Sequence, residues 1–143
     1  MAPAMTQWFA RPVLHVSNTE ASLRFYVEQL GFTADWRVEW DGKTHIVEVD
    51  RSDTALILSD QWPEKAGKGL MFIALNVEPW SNAAEVAAVD ALRAELESRG
   101  VKVRDGNWGH RLLVVEDPDG NQLYFPYPNP PGDVPTGLVT KTS

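Results

Sequence analysis

The sequence predicts an α+β fold made of two tandem strand-helix-three-strand modules, and three observations lead to it. First, the order of elements read from hydrophobic patterning occurs twice along the chain. Second, the sequence itself recurs inside the two helices: Leu23-Arg24-x-x-x-Glu28-x-x-Gly31-Phe32 is matched by Leu92-Arg93-x-x-x-Glu97-x-x-Gly100-Val101, at a constant offset of 69 residues. Third, residues 107–127 read as a hairpin that closes the second copy. Duplication accounts for all three observations, whereas chance likeness between two amphipathic helices accounts only for the second.

In the first module, residues 11–17 alternate, with Pro12, Leu14 and Val16 on one face and Arg11, Val13 and His15 on the other, the pattern of a half-buried strand. Asn18 is placed to cap the following helix, whose apolar stripe is Leu23, Tyr26, Val27 and Leu30 and whose left-handed stop is Gly31. Strands are expected over 32–40, 44–50 and 54–59, turned by Asp41-Gly42 and by the polar cluster 50–53. Residues 60–69 are polar, contain Pro63 and two glycines, and read as a linker.

The second module opens with an expected strand over 70–77, with Met71, Ile73, Leu75 and Val77 facing one way. An irregular loop over 79–84 leads to a helix over 85–99, with Val89, Leu92 and Leu96 as its stripe and Gly100 as its stop. A short strand at 101–104 precedes the hairpin, in which an apolar run at 112–115 turns through Asp117-Pro118-Asp119-Gly120 into a strand at 121–127. Pro118 presets φ, the aspartates can accept from nearby backbone N–H groups, and Gly120 tolerates positive φ. Leu123 and Phe125 then lie on one face and Gln122 and Tyr124 on the other.

With 143 residues and 43% apolar content, one domain over 1–143 is expected, comprising module 1 at about 9–60, module 2 at about 69–127 and a Pro-rich tail at 128–143. The absence of cysteine removes disulfides, thiolate metal sites and a cysteine nucleophile. A net charge of −7 argues against nucleic acid and anionic membrane as partners and favours a cationic ligand over an anionic one. The N-terminus lacks a basic start followed by an apolar run, and no stretch approaches the roughly 18 apolar residues of a membrane span, so a cytoplasmic location is expected.

The motifs Asn18-x-x-x-Ser22-Leu23-x-Phe25-Tyr26-x-x-x-Leu30-Gly31-Phe32 and Asp117-Pro118-Asp119-Gly120-Asn121-x-Leu123-x-Phe125, set in a tandem pair of modules, resemble the vicinal oxygen chelate superfamily. That group includes glyoxalase I, fosfomycin-inactivating transferases, extradiol dioxygenases and bleomycin resistance proteins. The resemblance covers roughly residues 9–127 and implies that the modules form a concave mixed-sheet cleft. In the metal-dependent branches, imidazole and carboxylate donors line the concave sheets, because a divalent ion needs such ligands. Matched to those branches, the ligand positions fall at Arg11, Ile57, Phe72 and Tyr124, none of them an ordinary ligand, and the resemblance therefore implies no metal and no cofactor. A rearranged site using His15, Glu48 or Glu116 is the alternative. His15 shares the face of Arg11 and is expected to line the cleft, while His45 and His110 lie on other segments.

Bleomycin resistance proteins resemble the chain at three further places: Pro12-Val13-Leu14, Gly31-Phe32-x-x-Asp35-Trp36 and Trp108-Gly109-x-Arg111. In that family the drug is held unaltered in a cleft between two subunits, with aromatic rings stacked on its flat groups and acidic side chains facing its positive charge. Carried over by position, Trp36 and Trp108 become stacking residues, with Trp40 on the face of Trp36. Where the family usually has an acidic residue after the Trp-Gly-Arg segment, this chain has Leu112, so identical drug chemistry is not implied. The six tryptophans also suit the role physically, since each offers a large apolar face with few rotatable bonds. Trp8, Trp62 and Trp80 lie in a terminus and loops and read as packing or interface residues. Strict alternation turns Asp35 and Glu39 away from the tryptophan face, which leaves no counter-ion identified.

The expected ligand-binding set is therefore Trp36, Trp40, Trp108, Arg11, His15, Phe72 and Tyr124, with no catalytic residue. The expected function is metal-independent binding and sequestration of an aromatic or cationic natural product, such as an antibiotic. A homodimer with clefts at its subunit interface is expected, because pairing closes open sheet edges. One alternative is an enzyme of the same superfamily, a lyase, isomerase or dioxygenase with displaced ligands, or a metal-free catalyst using His15 or Tyr124 as acid or base. Another is a structural or regulatory interaction module, which would lack a deep pocket. Prolines 126, 128, 130 and 131 keep the tail from extending a strand.

Overall fold

The computed structural model describes residues 4–128, so the expected tail at 128–143 lies, apart from Pro128, outside the described residues. Strands β1 (Val13–His15), β2 (Thr33–Trp40), β3 (Lys43–Arg51) and β4 (Thr54–Ser59) form one sheet in the order β1-β4-β3-β2. Strands β5 (Leu70–Phe72), β6 (Val103–Asn107), β7 (Arg111–Glu116) and β8 (Gln122–Pro126) form a second sheet in the order β5-β8-β7-β6. In each, the first strand lies parallel to the last and the others are antiparallel, so the repeat read in the sequence is also a repeat of topology.

Helix α1 (Thr19–Arg24) starts at Asn18, whose side-chain oxygen accepts from the Ala21 N–H at 3.1 Å. It widens into a π turn over Phe25–Gln29 and ends at Gly31, whose φ of 75° is open to glycine. Helix α2 (Asn82–Ser98) begins about a turn before the expected start. The reason is Ser81, whose Oγ accepts from the Ala84 N–H at 3.0 Å and caps the helix inside the segment expected to be an irregular loop.

Each helix covers one face of a sheet. Val47, Val49, Leu56 and Leu58 from the first sheet, and Leu113, Val115, Leu123 and Phe125 from the second, join Tyr26, Leu30, Val89, Leu92 and Leu96 in one hydrophobic cluster. Each fully buried aliphatic side chain of this kind contributes about 1.5–3 kcal/mol. No described helix is long and apolar enough to cross a membrane.

The strand expected over 70–77 is much shorter. Gln122 donates to the Gly69 carbonyl at 2.9 Å and Ile73 donates to the Tyr124 carbonyl at 2.8 Å. The next ladder bond would come from the amide of residue 126, and Pro126 has no N–H. β5 therefore stops at Phe72, although Ile73 still points into the core.

The turn after β7 does more than reverse the chain. Asp117 accepts at Oδ1 from the N–H groups of Asp119 and Asn121, both at 2.9 Å, and at Oδ2 from Asn121 Nδ2 at 2.9 Å and the Tyr26 hydroxyl at 3.1 Å. Asn121 Nδ2 also donates to the His15 carbonyl at 2.9 Å, and the Ser17 N–H donates to Asp119 Oδ1 at 3.1 Å. The hairpin turn of module 2 is thus fastened to the first strand and helix of module 1. The expected linker joins the same junction: after a 3₁₀ turn at Pro63–Lys65, Gly67 donates to the His15 carbonyl and Gly69 to Asn121 Oδ1.

Candidate functional site

On the second sheet, Phe72 and Tyr124 face each other across the parallel β5–β8 pair. They lie on the face opposite the core residues Leu123 and Phe125. Trp108, in the β6–β7 turn, meets both: its ring lies 5.6 Å from Phe72 and 6.2 Å from Tyr124, in edge-type contacts. The turn is set by Asn107 Oδ1, which accepts from Gly109 N–H at 3.1 Å, and by Gly109 at a φ of 74°. Phe72 is 47% exposed and Trp108 59% exposed, so these rings form a shallow aromatic surface. Three expected site residues from distant parts of the chain are brought together here.

On the first sheet, the pairing of β2 with β3 is irregular. Ala34 lies opposite Val49 and Arg37 opposite Val47, so Asp35 and Trp36 share the one position across from Glu48. This is a β-bulge, and it overturns the expectation that Asp35 points away from the tryptophan face. One carboxylate oxygen from each of Asp35, Glu48 and Asp50 lies within 4.8 Å of the other two. Trp36 Nε1 donates to Glu48 Oε1 at 3.0 Å, and Arg11 Nε pairs with the same oxygen. Glu39 is turned elsewhere, as alternation predicts, and accepts from the Thr44 hydroxyl.

The electrostatics of this group follow from its crowding. Burial pushes the Glu48 carboxyl up, but hydrogen bonds from the Asp50 carboxyl and the Trp36 indole, together with the Arg11 charge, outweigh it and hold Glu48 below the usual carboxylate range. Asp50 moves the other way, raised by burial, by its hydrogen bond to Glu48 and by the Glu48 and Asp35 charges. Of the two, Asp50 is therefore the carboxyl that holds a proton more readily. The arrangement suits a positively charged group presented beside an indole face.

The other two expected site residues stand apart from these groups. Trp40 stacks on His45, with centroids 4.0 Å apart and planes 11° from parallel, and His45 Nδ1 pairs with Asp60 at 3.0 Å. His15 meets Trp62 edge-on at 5.7 Å, and Lys65 lies over the same indole at 4.1 Å. A cavity of about 460 Å³ between the modules is lined by Leu30, Phe32, Ile73, Leu92 and Leu96, among others, and by none of the expected site residues.

The four positions matched to metal ligands do not fit a resident divalent ion. Phe72 and Tyr124 form an aromatic pair, Ile57 is an aliphatic neighbour of Glu48, and Arg11 holds a guanidinium against Glu48. The sequence reading missed the acidic group as a unit. Part of the signal was present, since Glu48 and Asp50 share one strand face; the bulge that brings in Asp35 leaves no mark in a pattern of alternation.

Comparison with known proteins agrees with this architecture. A family model described as glyoxalase/bleomycin resistance protein/dioxygenase superfamily matches residues 8–125. No curated protein matches the chain significantly. Among solved structures, the chain is similar to TnmS3, an antibiotic binding protein from Streptomyces sp. CB03234, at 26% identity and a TM-score of 0.62, covering 90% of this chain and 100% of that one. The fold also matches that of the bleomycin-binding protein from Streptomyces verticillus complexed with copper(II)-bleomycin, at 24% identity, a TM-score of 0.62, and 88% and 100% coverage. It matches that of a lactoylglutathione lyase from Agrobacterium tumefaciens at 18% identity, a TM-score of 0.59, and 88% and 95% coverage. The chain belongs to the glyoxalase/bleomycin resistance protein/dioxygenase superfamily.

Proposed function

We propose that this protein binds and sequesters, without altering it, a natural product that combines a flat aromatic portion with a positive charge. The observation that carries the reading is the pairing of two recognition chemistries on named strands: the exposed rings of Phe72, Trp108 and Tyr124, and Trp36 set beside the carboxyls of Asp35, Glu48 and Asp50. Aromatic side chains hold a planar ligand with little loss of rotamer freedom, and a carboxylate group discriminates for cations. Similarity to an antibiotic binding protein supports a ligand of the antibiotic class. The poor fit of Arg11, Ile57, Phe72 and Tyr124 to a divalent ion weighs against a metal-dependent enzyme that uses those four positions.

The working unit of this reading is a homodimer in which the aromatic surface of one subunit meets the acidic group of its partner. Val13, Val38, Leu70 and Phe72 are all exposed in the single chain, an apolar complement that association would cover. Tryptophan fluorescence of metal-stripped protein, titrated with metal-free bleomycin and other aromatic antibiotics, tests the binding function. Saturable quenching at about one ligand per subunit, with the ligand recovered unchanged by mass spectrometry, is expected. Chemical conversion of the ligand would transfer the protein to the enzymatic members of the superfamily. Sedimentation equilibrium tests the dimer separately.

A further inference from the structure

Arg11 and Glu48 are unequal partners. The Glu48 residue is only 2% exposed, whereas the Arg11 side chain is 41% exposed. The guanidinium of Arg11 also lies 4.4 Å from the centroid of the Phe9 ring, itself exposed. The carboxylate is therefore fixed in the sheet, held by Trp36 at the same oxygen that Arg11 contacts, while the cation has a route to solvent and an aromatic perch beside it.

We propose that the Arg11 guanidinium is a built-in counter-ion that a cationic ligand group displaces from Glu48, so that Arg11 sets which cations the cleft accepts. The proposal rests on the ligand-binding reading above and specifies how that site is controlled. A buried carboxylate that loses its cation is destabilised unless it takes up a proton or gains another positive partner, so Glu48 favours an exchange that leaves a cation beside it. Exchange of one cation for another avoids that penalty, whereas removal without replacement does not. A neutral aromatic ligand has no means of displacing Arg11 and gains nothing from the carboxylate. With Arg11 in place, weakly interacting cations are turned away, because each must compete with an intramolecular partner at high effective concentration. The displaced guanidinium retains a cation–π contact with Phe9, which lowers the cost of opening.

The test compares 9-aminoacridine, cationic at pH 7.5, with acridine, neutral at that pH, by calorimetric titration of the wild-type protein, Arg11→Gln and Arg11→Gln/Glu48→Gln. Arg11→Gln is expected to bind the cation at least about tenfold more tightly than wild type and acridine unchanged, with the gain lost in the double variant. An unchanged or reduced preference for the cation in Arg11→Gln overturns the proposal. A readout that needs no variant is the Arg11 Nε–Hε NMR resonance of the wild-type protein. It is expected to move toward the position of free arginine on saturation with 9-aminoacridine and to stay with acridine; a resonance that stays with both overturns the proposal. If neither acridine binds any of the proteins, the sequestration reading loses its support while this one is decided by Mn²⁺ alone. Binding of one ion by Arg11→Gln and none by wild type or the double variant supports a cation position occupied by Arg11, and no binding by Arg11→Gln overturns it.

Discussion

Trp36 and Glu48, twelve residues apart on neighbouring strands, are joined by a 3.0 Å hydrogen bond from the indole N–H to a buried carboxylate. The bond orients the indole so that its edge is committed to the protein and 42% of the residue stays exposed. Trp36→Ala is expected to weaken binding of an aromatic antibiotic about tenfold or more, and Trp36→Phe by less, because phenylalanine keeps a ring face but cannot donate. Calorimetry with metal-free bleomycin measures both. Equal losses would show that the hydrogen bond, and not the ring face, carries the role.

The opposite shifts of Glu48 and Asp50 make cation binding sensitive to pH. Burial, the hydrogen bond to Glu48 and the neighbouring negative charges raise the Asp50 carboxyl, so it carries its proton above the ordinary aspartate range and releases it as pH rises further. Release adds negative charge, so affinity for a cationic ligand is expected to increase with pH through that window. Asp50→Asn should flatten the rise while leaving a neutral aromatic ligand unaffected, which titrations over a pH series would reveal. Asp35→Asn should also lower cation affinity, since it removes a carboxylate from the same group.

A second ion pair bears on stability. Arg51 donates from both terminal nitrogens to Glu95, at 2.9 and 2.8 Å, and also to the Leu30 carbonyl at 2.7 Å, tying β3 to α2. The Arg51 hydrogen bonds hold the Glu95 carboxyl below its usual range against the effect of burial. A lowered folded-state pKa means that this stabilisation is present above the ordinary glutamate pKa and is lost as pH falls through the lowered value. Glu95→Gln is expected to reduce stability at neutral pH by about 1 kcal/mol or less, since the pair is partly exposed, and to have little effect in acid. Urea denaturation at several pH values checks the sign.

At the junction, Gly67 has a φ of 78°, and a Cβ built on it would lie 2.0 Å from the Asp119 carbonyl oxygen. Gly67→Ala is expected to destabilise by about 1–3 kcal/mol or more, because both the backbone conformation and the close approach exclude a side chain. Tyr26→Phe is expected to cost about 1 kcal/mol, since Asp117 keeps its three donors from Asp119 and Asn121. Denaturant midpoints separate the two effects. A Gly67→Ala protein as stable as wild type would mean that the turn is free to move away from the linker.

Much of this architecture is written locally. Asn18, Gly31, Gly100 and the turn at 117–120 act through their own backbone geometry, and alternation or helical stripes assign Leu14, Val47, Leu92 and Leu123 to the core. The positions of Phe72 and Tyr124 on the outer face follow from the same period of two. That Arg11, Phe72 and Tyr124 are not ordinary metal ligands is a matter of side-chain chemistry alone, although only the resemblance to the superfamily marks their positions.

Tertiary structure decided what those signals leave open. The missing amide of Pro126 ended β5 at Phe72, an effect of one strand on another that no reading of 70–77 contains. A bulge moved Asp35 across the sheet, because one extra residue between paired strands reverses the face of what precedes it. Asp117 and Asn121, legible as turn residues, became a junction only once Tyr26, 91 residues from Asp117, and the His15 carbonyl were folded against them. Helix caps, tight turns and the apolar face of each helix depend on near neighbours and were legible along the chain. Register and convergence depend on residues far apart in it, and only the packed sheets bring Arg11, Trp36 and Glu48 to a single oxygen.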